Sequence, residues 1–178
     1  MKFIKDLLFF EITATGQDVD KDNVIQLAAI LLKKDNLLEA DFFNSYIRVS
    51  YIDGIIHEHA KILGIADEIL RRSAKVYDVM KKFRGHFGNK LLLSTHGMQN
   101  VLFLKAAFRK AAAPFDYDPH IIDLWTLGYV YTLNYGLKKM PSFHTFADYF
   151  KLKQKNPADA LEKVRLEADI FRRIIKEV

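Results

Sequence analysis

A mixed α/β sheet with helices on both faces is the fold this sequence predicts, and three observations predict it. The chain opens with three apolar, strand-like runs joined by short polar turns, a pattern that favours an antiparallel meander. Beyond them, short apolar runs alternate with segments whose apolar residues recur at helical spacing. The 178 residues, half of them hydrophobic and 14 of them Phe, suffice for one domain spanning 1–178 with a sizeable core.

The first strand is Leu7-Leu8-Phe9-Phe10-Glu11-Ile12, which runs through Thr13-Ala14-Thr15 into a glycine turn at Gly16 and carries one carboxylate near its end. A buried strand of this kind is usually central, and a carboxylate at its C-terminal end is a common way to hold a metal over a sheet. A polar turn from Gln17 to Asn23 leads to a second strand, Val24 to Leu32; Lys33-Lys34-Asp35-Asn36 is the next turn, and Phe42 to Val49 the third strand. Ile55 to Leu70 reads as one or two short helices. Val76, Met80, Phe83 and Phe87 lie at helical spacing. Lys90 to Thr95 is a short apolar strand, followed by a helix with Val101, Leu104, Phe108 and Ala112 on one face and Pro114 just past its end. His120 to Leu124 is the fifth strand, Thr126 to Leu133 a helix, and Pro141-Ser142 opens a short helix from Phe143 to Phe150. Asn156-Pro157 is a cap and first-turn pair for a last helix whose buried stripe is Leu161, Val164, Ala168, Phe171 and Ile175. A three-strand meander followed by strand, helix, strand, helix, helix is the ribonuclease-H-like order, here with a mixed five-stranded sheet.

The net charge of +5 permits nucleic-acid contact and equally describes a solvated basic surface. With no cysteine, disulfides and thiolate metal sites are ruled out. No apolar run reaches membrane-spanning length and no signal-peptide pattern opens the chain, so a cytoplasmic location without membrane contact is expected.

Seven short segments, in order, carry a family resemblance. Phe9 to Gly16 resembles the motif Phe-Asp-x-Glu-Thr-Thr-Gly, and Ile25-Gln26-Leu27-Ala28-Ala29 the strand after it. Ile62-Leu63-Gly64-Ile65 resembles a central Gly-Ile segment, and Leu93-Ser94-Thr95-His96 with Phe103 to Phe108 a second motif. Ile121-Ile122-Asp123-Leu124 and Phe146 to Phe150 match framework segments, and Ala158 to Val164 lines up with a third motif, His-x-Ala-Leu-x-Asp-Ala. Together they resemble the DEDD-type, DnaQ-like 3′–5′ exonucleases, the group that includes the proofreading epsilon subunit of bacterial DNA polymerase and ribonuclease T. The resemblance covers nearly the full length and implies an exonuclease-type ribonuclease-H-like fold.

The family chemistry uses four carboxylates holding two divalent metals, and a histidine as general base. Position by position, the resemblance places the first acid at Glu11, which keeps its charge with one methylene more. The second falls on Thr13, the third on Asn100, the base on Ala158 and the last acid on Lys163. Catalytic residues are therefore not assigned at these degenerate positions. No metal is expected, with Glu11 the one surviving candidate ligand, because Mg²⁺ is held through several hard oxygen ligands and not by one carboxylate beside an ammonium. Instead, Lys163 is expected to pair with Glu11, with Asn100 bonded nearby.

The expected function is a catalytically inactive exonuclease-like domain retained for nucleic-acid binding or protein interaction. Its expected nucleic-acid-binding residues are Glu11, Thr15, Gly16, His96, Asn100 and Lys163. Two alternatives stand beside it: an active Mg²⁺- or Mn²⁺-dependent exonuclease with a site completed by Glu11, Asp159 and Glu162, and a structural subunit without nucleic-acid contact. The implied partners are a single-stranded 3′ end, a polymerase or other protein subunit, or a second copy. His96 is read as a framework residue, His57, His59 and His144 as loop or surface residues, and Asp123 and Asp148 as capping or hydrogen-bonding groups. Trp125, Tyr129, Tyr131 and Tyr135 are read as core or partner interface in preference to a base-stacking series.

Overall fold

The computed structural model describes residues 2–49, 64–136, 142–154, 156 and 159–177. In these residues the chain order is β1 (Leu7–Ala14), β2 (Val24–Leu32), β3 (Glu39–Arg48), α1 (Asp67–Arg72), β4 (Ala74–Lys75), α2 (Val76–Phe87), β5 (Leu92–Thr95), α3 (Met98–Lys110), β6 (Ile121–Asp123), α4 (Leu124–Tyr135), α5 (Phe143–Tyr149) and α6 (Ala160–Glu177). The strands form one mixed sheet of order β4-β3-β2-β1-β5-β6. The three-strand meander is antiparallel, while β5 joins β1, and β6 joins β5, in parallel. The α3 crossover between β5 and β6 covers one face.

Strand β1 is interior, and its six residues from Leu7 to Ile12 are all buried. Side chains alternate across a strand. Leu8, Phe10 and Ile12 therefore enter the core shared with Met80 and Phe83 of α2 and Leu104 and Phe108 of α3. Leu7 and Phe9 enter the opposite core with Phe146 of α5 and Val164, Ala168 and Phe171 of α6. Glu11 continues the second series, so its carboxylate faces α6. The turn after β1 is closed by its own polar groups: Thr15 Oγ1 donates to Asp22 Oδ1 (2.9 Å) and accepts from Asn23 N (3.0 Å). A Cβ at Gly16 would lie 2.4 Å from Asp22 Oδ2, so a side chain there would push the Asp22 carboxylate off its bonds to Thr15 and Asp18 N.

Four details differ from the sequence expectation. The sheet has six strands and not five, because Ala74–Lys75 adds a short parallel edge beside β3; two residues leave no periodic signal. β3 starts at Glu39, where pairing with Leu32 extends a polar, exposed end that hydrophobicity does not mark. α4 starts at Leu124, because Asp123 itself is the cap. The last helix is capped by Asp159, whose Oδ1 accepts from Leu161 N (2.8 Å) and Glu162 N (3.4 Å), so among the described residues the cap falls three residues beyond the expected Asn156. The expected helices over 55–70 are described only from residue 64 onward, as α1; Pro141, Pro157, His57 and His59 lie outside the described residues. Among the described residues, no helix is long and apolar enough to cross a membrane.

Candidate functional site

The parallel pairing of β1 with β5 brings the C-terminal ends of both strands to one edge of the sheet, the edge at which open α/β sheets bind ligands. With Phe9 level with Ser94, Glu11 lies close to Thr95 and His96. Gly97, at φ 91°, turns the chain directly into α3, and this places Asn100 in the first turn of that helix. From there the Asn100 amide reaches back, donating to Glu11 Oε2 at 2.6 Å and to Thr95 Oγ1 at 2.8 Å. The loop is held from the other side by Asp123, which accepts from Gly97 N at 2.8 Å while capping α4 through Trp125 N and Thr126 N.

The other carboxylate oxygen of Glu11, Oε1, accepts a hydrogen bond from the Lys163 ammonium on the first turns of α6. The expected contact between first strand and last helix is therefore made, with Asn100 on the second oxygen. Glu11 is 7% exposed, whereas 33% of the Lys163 side chain reaches solvent. The ammonium also stands 5.8 Å from the centroid of the Phe143 ring, within cation–π range. Burial acts to lower the Lys163 pKa, but the carboxylates beside it outweigh burial and hold it above the ordinary lysine value.

One residue of this cluster escaped the sequence analysis. Glu167 lies one helical turn beyond Lys163, is fully buried, and has no hydrogen-bond partner on either carboxyl oxygen among the described residues. Burial, reinforced by repulsion from Glu11 and opposed by Lys163, pushes its pKa well above that of an ordinary glutamate. Glu11 holds the direct bond to Lys163, which leaves Glu167 without the contact that would offset its burial. The available signal was position, since Glu167 follows Val164 by three residues and precedes Phe171 by four, inside the buried stripe.

His96 borders the cluster. Its ring centroid is 6.3 Å from that of Phe143 and its Nε2 is buried without a partner among the described residues. Burial first, and then the Lys163 charge, lower its pKa, so the imidazole is neutral at physiological pH. Thr13 is half-buried beside Glu11, opposite Gln26. Thr15 is buried, with its hydroxyl engaged inside the turn. Ala158 lies outside the described residues. Asp159 is occupied as a cap, and Glu162 Oε2 accepts from Asn156 N at 2.8 Å. Among the described residues, no group of three or more His, Asp or Glu is placed to hold a metal ion, so Asp159 and Glu162 do not complete such a group with Glu11.

The aromatic series divides. Tyr131 is buried and donates its hydroxyl to Glu177, whereas Trp125 and Tyr129 stack with an interplanar angle of 1°, and Tyr129 and Tyr135 are exposed. His144 and Asp148 are exposed.

Against known proteins, the family model for RNase_T exonucleases matches residues 10–171, from the second half of β1 to late α6. The DNA polymerase III subunit epsilon of Aquifex aeolicus is 25% identical over 168 residues, which cover 94% of this chain and 79% of that protein. The PolC-type DNA polymerase III of Bacillus subtilis is 27% identical over 120 residues, 67% of this chain but 8% of that protein. Among solved structures, cell-death related nuclease 4 superposes with a TM-score of 0.84 at 16% identity, covering 97% of this chain and 64% of that one. E. coli exonuclease I in complex with a dT13 oligonucleotide gives 0.78 at 15% identity, covering 98% of this chain and 41% of that one. The chain thus spans less than two thirds of these two solved nucleases. The structural likenesses establish the ribonuclease-H-like exonuclease fold, and the match of the family model over nearly the whole domain establishes that the chain belongs to the RNase_T exonuclease family.

Proposed function

We propose that this domain binds single-stranded nucleic acid at its 3′ end without hydrolysing it, and that Lys163 stands where the family's chemistry needs a metal ion. The contact between Lys163 and Glu11 carries the reading. A two-metal centre requires several hard oxygen donors converging on each ion. The donor set here does not fit one. Glu11 already spends one oxygen on an ammonium and the other on an amide, Thr13 and Asn100 supply no charge, and Glu167 is enclosed in the core, where burial raises its pKa against the charged form that a metal ligand needs. What the residues offer a nucleic acid is different: the positive charge of a lysine whose side chain is one third exposed, with a neutral imidazole and an asparagine beside it. The fold shared with an exonuclease seen on dT13 supports single strands as the ligand class.

A second reading is favoured by one surface. Helix α4 has no charged residue and exposes Tyr129, Val130 and Leu133, the last at 67%. That face suits a protein neighbour, either a polymerase subunit or another copy of this chain, and sedimentation of the purified chain separates the two arrangements.

The test of the main reading is incubation with labelled single-stranded DNA and RNA in Mg²⁺ and in Mn²⁺, with binding followed across a salt series. Retained full-length substrate, together with affinity that falls as salt rises, is the expected result; for single strands the logarithmic slope is roughly −0.7 per phosphate contacted. Shortening of the substrate that disappears in Glu11→Ala overturns the proposal. Negligible binding at all salt concentrations leaves the protein-docking reading in its place.

A further inference from the structure

Away from the Glu11–Lys163 contact, a cavity of about 100 Å³ opens between the turn after β1, the end of β3 and the end of α3. Lys110, on its lining, lies about 15 Å along the α3 axis from Asn100. The walls are apolar: Val24, Ile47, Val49, Phe103 and Ala107 are buried there, with Val76 of α2 half-buried beside them. The polar groups on the lining are mainly donors. The Lys110 ammonium donates to Asp22 O at 3.0 Å and to Asn23 Oδ1 at 3.3 Å. Both acceptors are neutral, so they hold the ammonium in place without cancelling its charge. With its Oδ1 so engaged, the Asn23 amide offers its NH2. Arg48 has no hydrogen-bond or ion-pair partner among the described residues, and Lys75, its neighbour in the parallel β3–β4 pairing, adds a further exposed positive charge. Among the described residues Asp22 is the one acid on the lining, and both of its carboxylate oxygens accept bonds inside the turn, from Thr15 Oγ1 and Asp18 N. The turn's other acids are paired as well, Asp18 with Lys21 and Asp20 with Arg109.

Apolar walls under a rim of positively charged donors suit an anion with an apolar body. An apolar cavity of roughly 150 Å³ holds a benzene ring, so this smaller one holds a group of about four carbons. We infer that the cavity is a binding site for a short branched-chain carboxylate, with the branched alkyl group among the valines and Phe103 and the carboxylate on Lys110, Arg48 and the Asn23 amide. An inorganic anion would satisfy the rim and leave the walls without contact. A hydrocarbon of the same shape would fill the walls and leave the rim donors without a partner. Hydrogen bonds between ionised groups are the stronger kind, so between occupants of equal shape the charge decides. The site uses neither Glu11 nor Lys163, and it stands apart from the nucleic-acid reading.

The experiment titrates the wild-type chain, labelled with carbon-13 at its valine and isoleucine methyl groups, with 3-methylbutanoate at neutral pH. Saturable methyl shifts at millimolar ligand are expected at Val24, Ile47, Val49 and Val76, with Val164 under α6 unmoved. The neutral 3-methylbutanamide, of nearly the same shape, is expected to bind about tenfold more weakly, and so is 3-methylbutanoate to Arg48→Gln. Arg48 is exposed and unpartnered among the described residues, so this variant keeps its fold, which circular dichroism checks. Lys110→Gln is expected to weaken binding in the same way. Absence of saturable shifts at the cavity methyls overturns the inference, as does equal affinity for the amide or undiminished binding by Arg48→Gln. With no nucleic acid or metal in the titration, the result is independent of whether the domain binds or cleaves single strands.

Discussion

Replacing Glu167 by glutamine should change how the stability of this domain depends on pH. In the unfolded chain this glutamate loses its proton near 4.5, its ordinary value, whereas in the folded chain burial first, and then Glu11, push its pKa well above that. Between those two pKa values the folded state binds one proton more than the unfolded state, so stability falls as pH rises through that window. The slope for one proton is about 1.4 kcal/mol per pH unit. Within that window the wild type therefore loses stability steadily as pH rises, through this residue alone. Glutamine has nearly the same shape, is neutral at every pH and feels no such loss.

The assay is a set of thermal melts of wild type and Glu167→Gln at half-unit steps from pH 4 to pH 8.5. For a chain of this length, 1 kcal/mol corresponds to about 2–4 °C, so the gap between the two proteins should widen by about 3–6 °C per pH unit within that window, in favour of the variant. His96 acts with the opposite sign. Its lowered pKa means that the unfolded chain takes up a proton first as pH falls below about 6.5, so stability is lost toward acid. That term is common to both proteins and cancels in the difference. A gap that stays constant across the series, or one that narrows toward pH 8, would refute the assignment of Glu167 as a neutral buried acid.

Two further outcomes follow from the same geometry. Lys163→Met leaves the Glu11 carboxylate buried with only Asn100 as partner; removing one member of a buried pair costs about 3–5 kcal/mol, and the partial exposure of Lys163 points to the lower end. Urea denaturation of Lys163→Met, Glu11→Gln and the double variant should show the double variant losing less than the sum of the singles, and strict additivity would mean that the two residues do not interact. Gly128→Ala would put a Cβ 2.4 Å from the buried Phe146 ring, and overpacking of that kind should lower stability by about 1–3 kcal/mol in the same measurement.

The elements were legible in the sequence wherever one physical signal dominated. β1 and β2 are continuous apolar runs because both of their faces are covered, and α2 announces itself through Val76, Met80, Phe83 and Phe87. Legibility failed where an element owes its existence to its neighbours. Ala74 and Lys75 form a strand only because Ile47 and Arg48 lie beside them, and α4 begins where it does because Asp123 also had to hold Gly97. Of the site, the Glu11–Lys163–Asn100 contact was legible, since it needs only a carboxylate, an ammonium and an amide at positions that a shared fold brings together.

Glu167 shows where that kind of reasoning stops. Helical periodicity places it among Val164, Ala168 and Phe171, so its burial could have been read from spacing alone. Its protonation state could not. Lys163 lies on the same helix four residues earlier, which in an isolated helix would make the two a routine ion pair. That local pairing is lost because β1 presents a second carboxylate, and Glu11 takes the ammonium with its other oxygen already anchored by Asn100. One cation cannot neutralise two enclosed acids, and the one without the hydrogen bond is the one whose pKa is pushed up. The electrostatic character of the site is therefore fixed by a competition between a contact local to α6 and a contact 152 residues apart in sequence, and the distant one wins.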